Sequence, residues 1–255
     1  MDLVLTTRLL ILPAMRILLW YRNDLRLHDH EPLYRAVIQR ASVLPLYCFD
    51  PRQFGTTAFG FPKTGAYRAQ FLLESVADLR QSFRTLEADL LIRQGKPEDI
   101  IPDLVKQLNV EAVYWHTEVT AEELVVEAAL KEKLGQLGVK VKRFWSATLY
   151  HPDNLPFSIE QIPELFTQFR KRVEKEGSIE PTFPKPQQIS FKQEIEPGEL
   201  PTLQDLGLEA PVYDQRAVLR FVGGETVGLQ RLHHYLWEGD HLKTYKETRN
   251  GMLGG

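Results

Sequence analysis

Residues 15–33 read MRILLWYRNDLRLHDHEPL, an apolar run from Ile17 to Tyr21 that breaks abruptly into alternating charge. A short, unbroken run of branched and aromatic residues is the pattern of a strand covered on both faces. Comparable runs follow at 43–49 (VLPLYCF), 89–93 (DLLIR), 112–116 (AVYWH) and 139–145 (VKVKRFW). Stretches of helical period separate them. Phe71, Leu72, Val76, Leu79, Phe83 and Leu86 recur three to four residues apart and predict one apolar helix face. Lys96-Pro97-Glu98-Asp99 announces another helix, with proline and acids suited to its first turn. A third begins at Thr120-Ala-Glu-Glu123, where the spacing predicts a capping box. Strands alternating with helices over crossovers of this length require right-handed connections in a parallel sheet. The expected fold is α/β: a Rossmann-like five-stranded parallel sheet with helices on both faces.

Composition limits what this layer does. The chain has 255 residues, 43% of them hydrophobic, enough for a sizeable core. Its 31 basic and 34 acidic residues leave a net charge of −3, so no global positive field draws it to nucleic acid or a membrane surface. Cys48 is the single cysteine and reads as a buried strand thiol, which suits a reducing, cytoplasmic setting. Arg8 followed by LLILPAM has a faint leader-like look, but the apolar run is short and contains Pro13, and Met15 is a second candidate start. No run of roughly 18 apolar residues predicts a membrane span.

Ligands of open parallel sheets bind beyond the carboxyl ends of the strands. The loops in question are 22–30, 50–63, 94–96 and 117–123. None carries Gly-x-Gly-x-x-Gly or Gly-x-x-x-x-Gly-Lys-Ser/Thr, the arrangements whose backbone donors approach a pyrophosphate. In the first loop, Arg22, Asp24, Arg26, His28, Asp29 and His30 are expected to pair with one another and brace the next helix; no third ligand at zinc-like spacing follows the histidines, and no metal site is expected. Glu118, in HTEVTAEE, sits just past a strand and before a helix, facing the ligand edge of the sheet.

After residue 147 the character changes. Residues 151–211 hold nine of the sixteen prolines, with one plausible helix in IPELFTQFRKRVEKEG (162–177). The mixed signs of RKRVEKE suit a solvated helix face better than a nucleic-acid patch. Two further helices are expected at roughly 225–238 and 240–248, with Leu232, Tyr235, Leu236 and Trp237 forming an aromatic side in need of a partner. The expected organisation is an α/β domain at 15–147, a connector at 148–215 and the start of a helical domain at 216–255.

The RNDLR pattern at 22–26, FPKTGAYRAQFLLESVADL (61–79), ATLYHPDNLPFSIEQIPELFTQFRKRVE (147–174) and FVGGETVGLQRLHHYLWEGDHLKTYKETRNG (221–251) together resemble the photolyase and cryptochrome family, most closely its DASH-type cryptochromes. The resemblance runs from residue 15 to about 253. It implies blue-light repair of cyclobutane pyrimidine dimers, chiefly in single-stranded DNA, by FAD served by a methenyltetrahydrofolate antenna. Most of the flavin site, the tryptophan relay and the lesion pocket would lie beyond Gly255, so the isolated chain is expected to be inactive in photorepair and to hold no catalytic residue of its own. By the same resemblance, Glu118 holds the pterin of the antenna, Tyr245 contacts FAD and Arg249 lies on the DNA-binding side. Two alternatives are a freestanding folate-antenna or regulatory module that pairs with a separate flavin-domain chain, and a Rossmann-like nucleotide-binding protein without light chemistry.

Overall fold

The computed structural model describes residues 15–191, 194–217, 219–239 and 241–251. The leader-like stretch before Met15 and the last four residues lie outside them. Five parallel strands, β1 (Arg16–Tyr21), β2 (Ser42–Phe49), β3 (Leu91–Gln94), β4 (Ala112–His116) and β5 (Lys140–Phe144), are ordered β3-β2-β1-β4-β5. Each successive pair is joined through a helix: α1 (Glu31–Ile38), α2 (Ala66–Arg84), α3 (Pro97–Leu108) and α4 (Ala121–Gln136). This is the Rossmann-like layer that the alternation of strands and helices requires.

The period of two along β1 divides the core. Ile17, Leu19 and Tyr21 pack with Leu33 of α1 and with Val76, Leu79 and Phe83 of α2. Leu18 and Trp20 face the other way, onto Ile101, Leu104 and Val105 of α3 and Leu130 and Leu134 of α4. A strand buried on both faces has no polar side to present, hence its unbroken apolar run. The face expected of α2 is only partly realised. Val76, Leu79 and Phe83 are buried, whereas Phe71 is 46% exposed and Leu86 lies past the helix end.

Both sheet edges are managed. The connector covers the β3 edge: Ile92 N–H donates to Pro197 O at 2.7 Å, and the Arg93 guanidinium donates to the Pro197 and Glu196 carbonyls. Further back, Val43 N–H donates to Ser190 O at 2.8 Å, so the start of β2 borders the connector where β3 does not reach. On the other side β5 presents Lys140, Lys142 and Arg143 to solvent. The connector contains α5 (Phe166–Glu176).

Beyond it come α6 (Glu225–His233), a π-helical turn at His234–Glu238 and α7 (His241–Thr248). The joint between these helices and the sheet is polar and close. Gly223 N–H donates to Glu74 Oε2 at 2.8 Å and Thr226 N–H to Asp78 Oδ2 at 3.1 Å. Glu225 accepts the Leu27 and His28 N–H groups at 2.8 and 3.0 Å. A Cβ on Gly223 would stand 2.1 Å from Phe71 O, and Gly224 has φ +115°, so the glycine pair permits the approach. Among the described residues no helix is long and apolar enough to cross a membrane.

Candidate functional site: the cavity at the strand ends

Strand order reverses between β1 and β4, each continuing to a helix on an opposite face of the sheet, and such a switch point opens a crevice past the carboxyl ends. A cavity of about 1190 Å³ lies here. Its wall includes Trp20, Tyr47 and Cys48 from the sheet, Phe71 and Leu72 from α2, and Val125 and Val126 from α4; Gly228, Leu229 and Leu232 of α6 form a further side. The loops expected at the ligand edge contribute Arg22, Asn23, Asp50, Arg52 and Lys63. A largely apolar wall with a few polar groups, and room for a drug-sized molecule, is the usual character of a small-molecule site.

The polar framework differs from the one expected. Arg22 pairs not with a neighbour in its loop but with Glu127 of α4, and both are buried, at 8% and 3% exposure. The Arg22 guanidinium also lies 4.6 Å from the Trp20 ring centroid. Asp24 Oδ1 accepts the Arg22 N–H at 2.7 Å, while Oδ2 accepts from His30 Nε2 at 2.7 Å and His116 Nδ1 at 2.5 Å. His30 Nδ1 accepts the Leu33 N–H and caps α1, so its proton is on Nε2, facing Asp24. Burial pushes the Asp24 carboxyl upward, but the hydrogen bonds from the two histidines and their attraction outweigh it and hold the group well below the usual carboxylate range. Burial lowers His30 against the pull of Asp24. An ionised aspartate accepting from the Nε2–H of His30 satisfies both directions.

The donors of Asp24, His30 and His116 come within 4.8 Å of one another, a grouping able in principle to hold a metal ion. Their shared hydrogen bonds instead make them a clamp that ties the β1 end to β4 and α1. Arg26 donates to the His28 and Asp29 carbonyls, and Asp29 accepts the Phe183 N–H of the connector. The loop therefore braces its surroundings as expected, but mostly through partners outside itself. Burial pushes the Cys48 thiol far up, which makes it an inert part of the wall.

Glu118 lies at the switch point. Its Oε1 accepts from Asn23 Nδ2 at 2.8 Å, bridging the ends of β4 and β1, and its N–H donates to Glu127 Oε1 at 3.0 Å. Asn23 lines the cavity and Glu118 stands behind it, not itself in the wall. Tyr245 is half exposed on α7 and Arg249 is exposed after it; neither lines the cavity or joins Glu118. Sequence reading missed Glu127 and His116, whose local sign was a polar residue among apolar ones, Glu127 between Val126 and Ala128 and His116 at the end of AVYWH. The capping box is absent: Thr120 makes no side-chain cap bond, and Glu123 lines the cavity instead of reaching back.

The DNA photolyase family model matches residues 17–187, and the chain belongs to that family. Within it, the chain is similar to cryptochrome DASH of Gloeobacter violaceus, 60% identical over 238 residues, covering 93% of this chain and 48% of that protein. The crystal structure of the Synechocystis cryptochrome superposes with a TM-score of 0.88 at 48% identity, covering 94% of this chain and 50% of that one. An archaeal photolyase from Sulfolobus tokodaii, solved with two FAD molecules, shares the fold at a TM-score of 0.68 and 22% identity, covering 86% and 46%. The chain spans about half the length of the curated relatives it matches.

Proposed function

We propose that this chain forms the antenna-bearing half of a DASH-type, light-driven flavoprotein that acts on DNA, and that its own site takes a folate. The observation that carries this reading is the cavity at the β1–β4 switch point, with the Glu118–Asn23 bridge at its edge. The residues present fit such a group: an aromatic and aliphatic wall receives a planar ring, and carboxylates beside it accept ring donors. When bound, the folate would supply absorption of light. Glu118 is the acceptor assigned to the pterin, Glu127 holds its backbone, and Arg22 neutralises Glu127. The single buried thiol suits a reducing, cytoplasmic setting.

The fit to FAD is poor. The described residues offer Tyr245, half exposed and outside the cavity wall, and no step through a flavin follows from it. DNA repair is accordingly proposed for the complete protein, with Arg249 on its DNA side. A flavin-domain partner, in the same polypeptide or a separate one, suits the exposed Leu229, Leu232, Trp237, Leu242 and Tyr245 of α6, the π turn and α7.

The test is an absorption spectrum of the purified chain after incubation with FAD and a reduced folate and removal of unbound ligand, with Glu118→Ala in parallel. Retained folate, lost in the variant, is the expected result; a wild-type chain that retains no folate refutes the reading. Illuminated chain should leave dimers in irradiated oligothymidylate intact, as read by chromatography of the products.

A further inference from the structure

The two acids in the first turn of α4 have different fates. Glu122 pairs with Lys63, from the loop before α2, across the edge of the cavity. Glu123 makes no hydrogen bond or ion pair among the described residues, and its Oε2 is buried without a partner. The positive end of α4 offsets part of the cost of this anion, but an acceptor removed from water still lacks a donor. The expected capping box would have supplied one through the Thr120 N–H, and the chain declines that local solution.

Most charged groups of the same wall are already committed. Arg22 belongs to Glu127, Arg52 to Asp50 and Glu98, Lys63 to Glu122, and Arg26 to two backbone carbonyls. Arg68, near the start of α2, is the counterpart of Glu123: it lines the cavity and makes no hydrogen bond or ion pair among the described residues. One uncommitted carboxylate and one uncommitted guanidinium therefore share the chamber, whose wall also holds the Tyr21 hydroxyl, buried without a partner.

We propose that Glu123 is a ligand-contacting residue of this cavity, accepting N–H or amino donors of a planar heteroaromatic ring, with Arg68 taking the anionic end of the same molecule. This rests on the reading of the cavity as a chromophore site and adds to it a second carboxylate, in the wall itself, where Glu118 stands behind Asn23. The ligand class is a donor-bearing ring with a carboxylate tail. A neutral hydrocarbon would leave both groups unmet, and a purely anionic ring would be repelled by Glu123.

The experiment uses the full chain and titrates methenyltetrahydrofolate and, separately, plain pterin, which lacks the anionic tail, by absorption and fluorescence, with the thermal midpoint of each ligand-free variant measured alongside. Glu123→Gln should weaken both ligands roughly 10- to 100-fold, the loss of a charge-assisted contact, without lowering the ligand-free midpoint. Arg68→Gln should weaken the folate and leave the pterin unchanged. Unaltered affinity in Glu123→Gln, with binding lost in Glu118→Ala, overturns the inference and leaves the proposed function standing. Weakened affinity accompanied by an equal fall in the ligand-free midpoint of Glu123→Gln also overturns it, because the residue would then be structural. A wild-type chain that binds neither probe overturns both.

Discussion

The sheet and the α6–α7 segment both carry large apolar side chains, and they use them in opposite ways. Ile17, Leu18, Leu19, Tyr114 and Trp115 have no measurable exposure, whereas no residue of α6, the π turn or α7 is buried. Leu232 and Trp237 are 50% and 67% exposed. The central strands β1, β2 and β4 are covered by the sheet's own helices, and the edge strand β5 is open to solvent. The helical segment is attached at one end, through Gly223, Glu225 and Thr226, by hydrogen bonds to α2 and the β1–α1 loop. Polar anchoring positions a segment without stabilising it much, since each hydrogen bond contributes only about 0.5–1.5 kcal/mol net. The cavity lies between these regimes, with a rigid floor and a side that is only tethered.

The largest expected effect separates two tryptophans. Trp115→Ala should cost about 3–5 kcal/mol in denaturant unfolding, and Trp237→Ala no more than about 0.5 kcal/mol. Similar losses at both positions would break the contrast. At the joint, Gly223→Ala drives a methyl into Phe71 O and Ser75 Oγ and should cost about 1–3 kcal/mol, seen as faster hydrogen exchange and proteolysis in α6 while the sheet amides keep their protection. Uniform loosening would show that the segment supports the sheet after all. Glu225→Gln keeps the shape but loses the charge and one of the two acceptor oxygens, so one backbone N–H is left unmet, and at least about 1 kcal/mol of local stability should go with it, measured as α6 exchange.

The smallest effect near neutrality comes from the clamp beneath the cavity. His30 is held below its ordinary value of 6.5, so as pH falls below that point the unfolded chain gains a proton that the fold refuses. Stability contributed by neutral His30 is complete above about 6.5 and declines as pH falls toward its folded value. Asp24 is depressed too, so its contribution is present above its ordinary 3.8 and is lost only in stronger acid. Melting midpoints from pH 7 to 5 should decline, and His30→Gln should flatten that decline. An equal slope in the variant would place the titration elsewhere.

The legible part of the molecule is the part governed by local period. Each of the five apolar runs forms a strand, and Pro97 opens α3 as the sequence suggests. The expected helix at 225–238 appears with its last turn in π form. The capping box failed because Thr120 and Glu123 have a second environment available, the cavity, that a four-residue motif does not reveal. Phe71 fits the apolar spacing of α2 yet lines that cavity, because a helix crossing the end of a sheet leaves its first turns beyond the covered face.

Sequence by itself determined the alternation of strand and helix, the parallel sheet that follows from it, and the family likeness carried by its motifs, because these depend on residues near one another in the chain. Only the tertiary structure decided that Arg22 would meet Glu127 across 105 residues and Asp24 would meet His116 across 92. Those partners exist because β1 and β4 are neighbours in the sheet although most of the domain separates them in the chain. Charge pairing is read in space, and nothing in the spacing of an arginine or an aspartate names the distant strand that will be brought beside it.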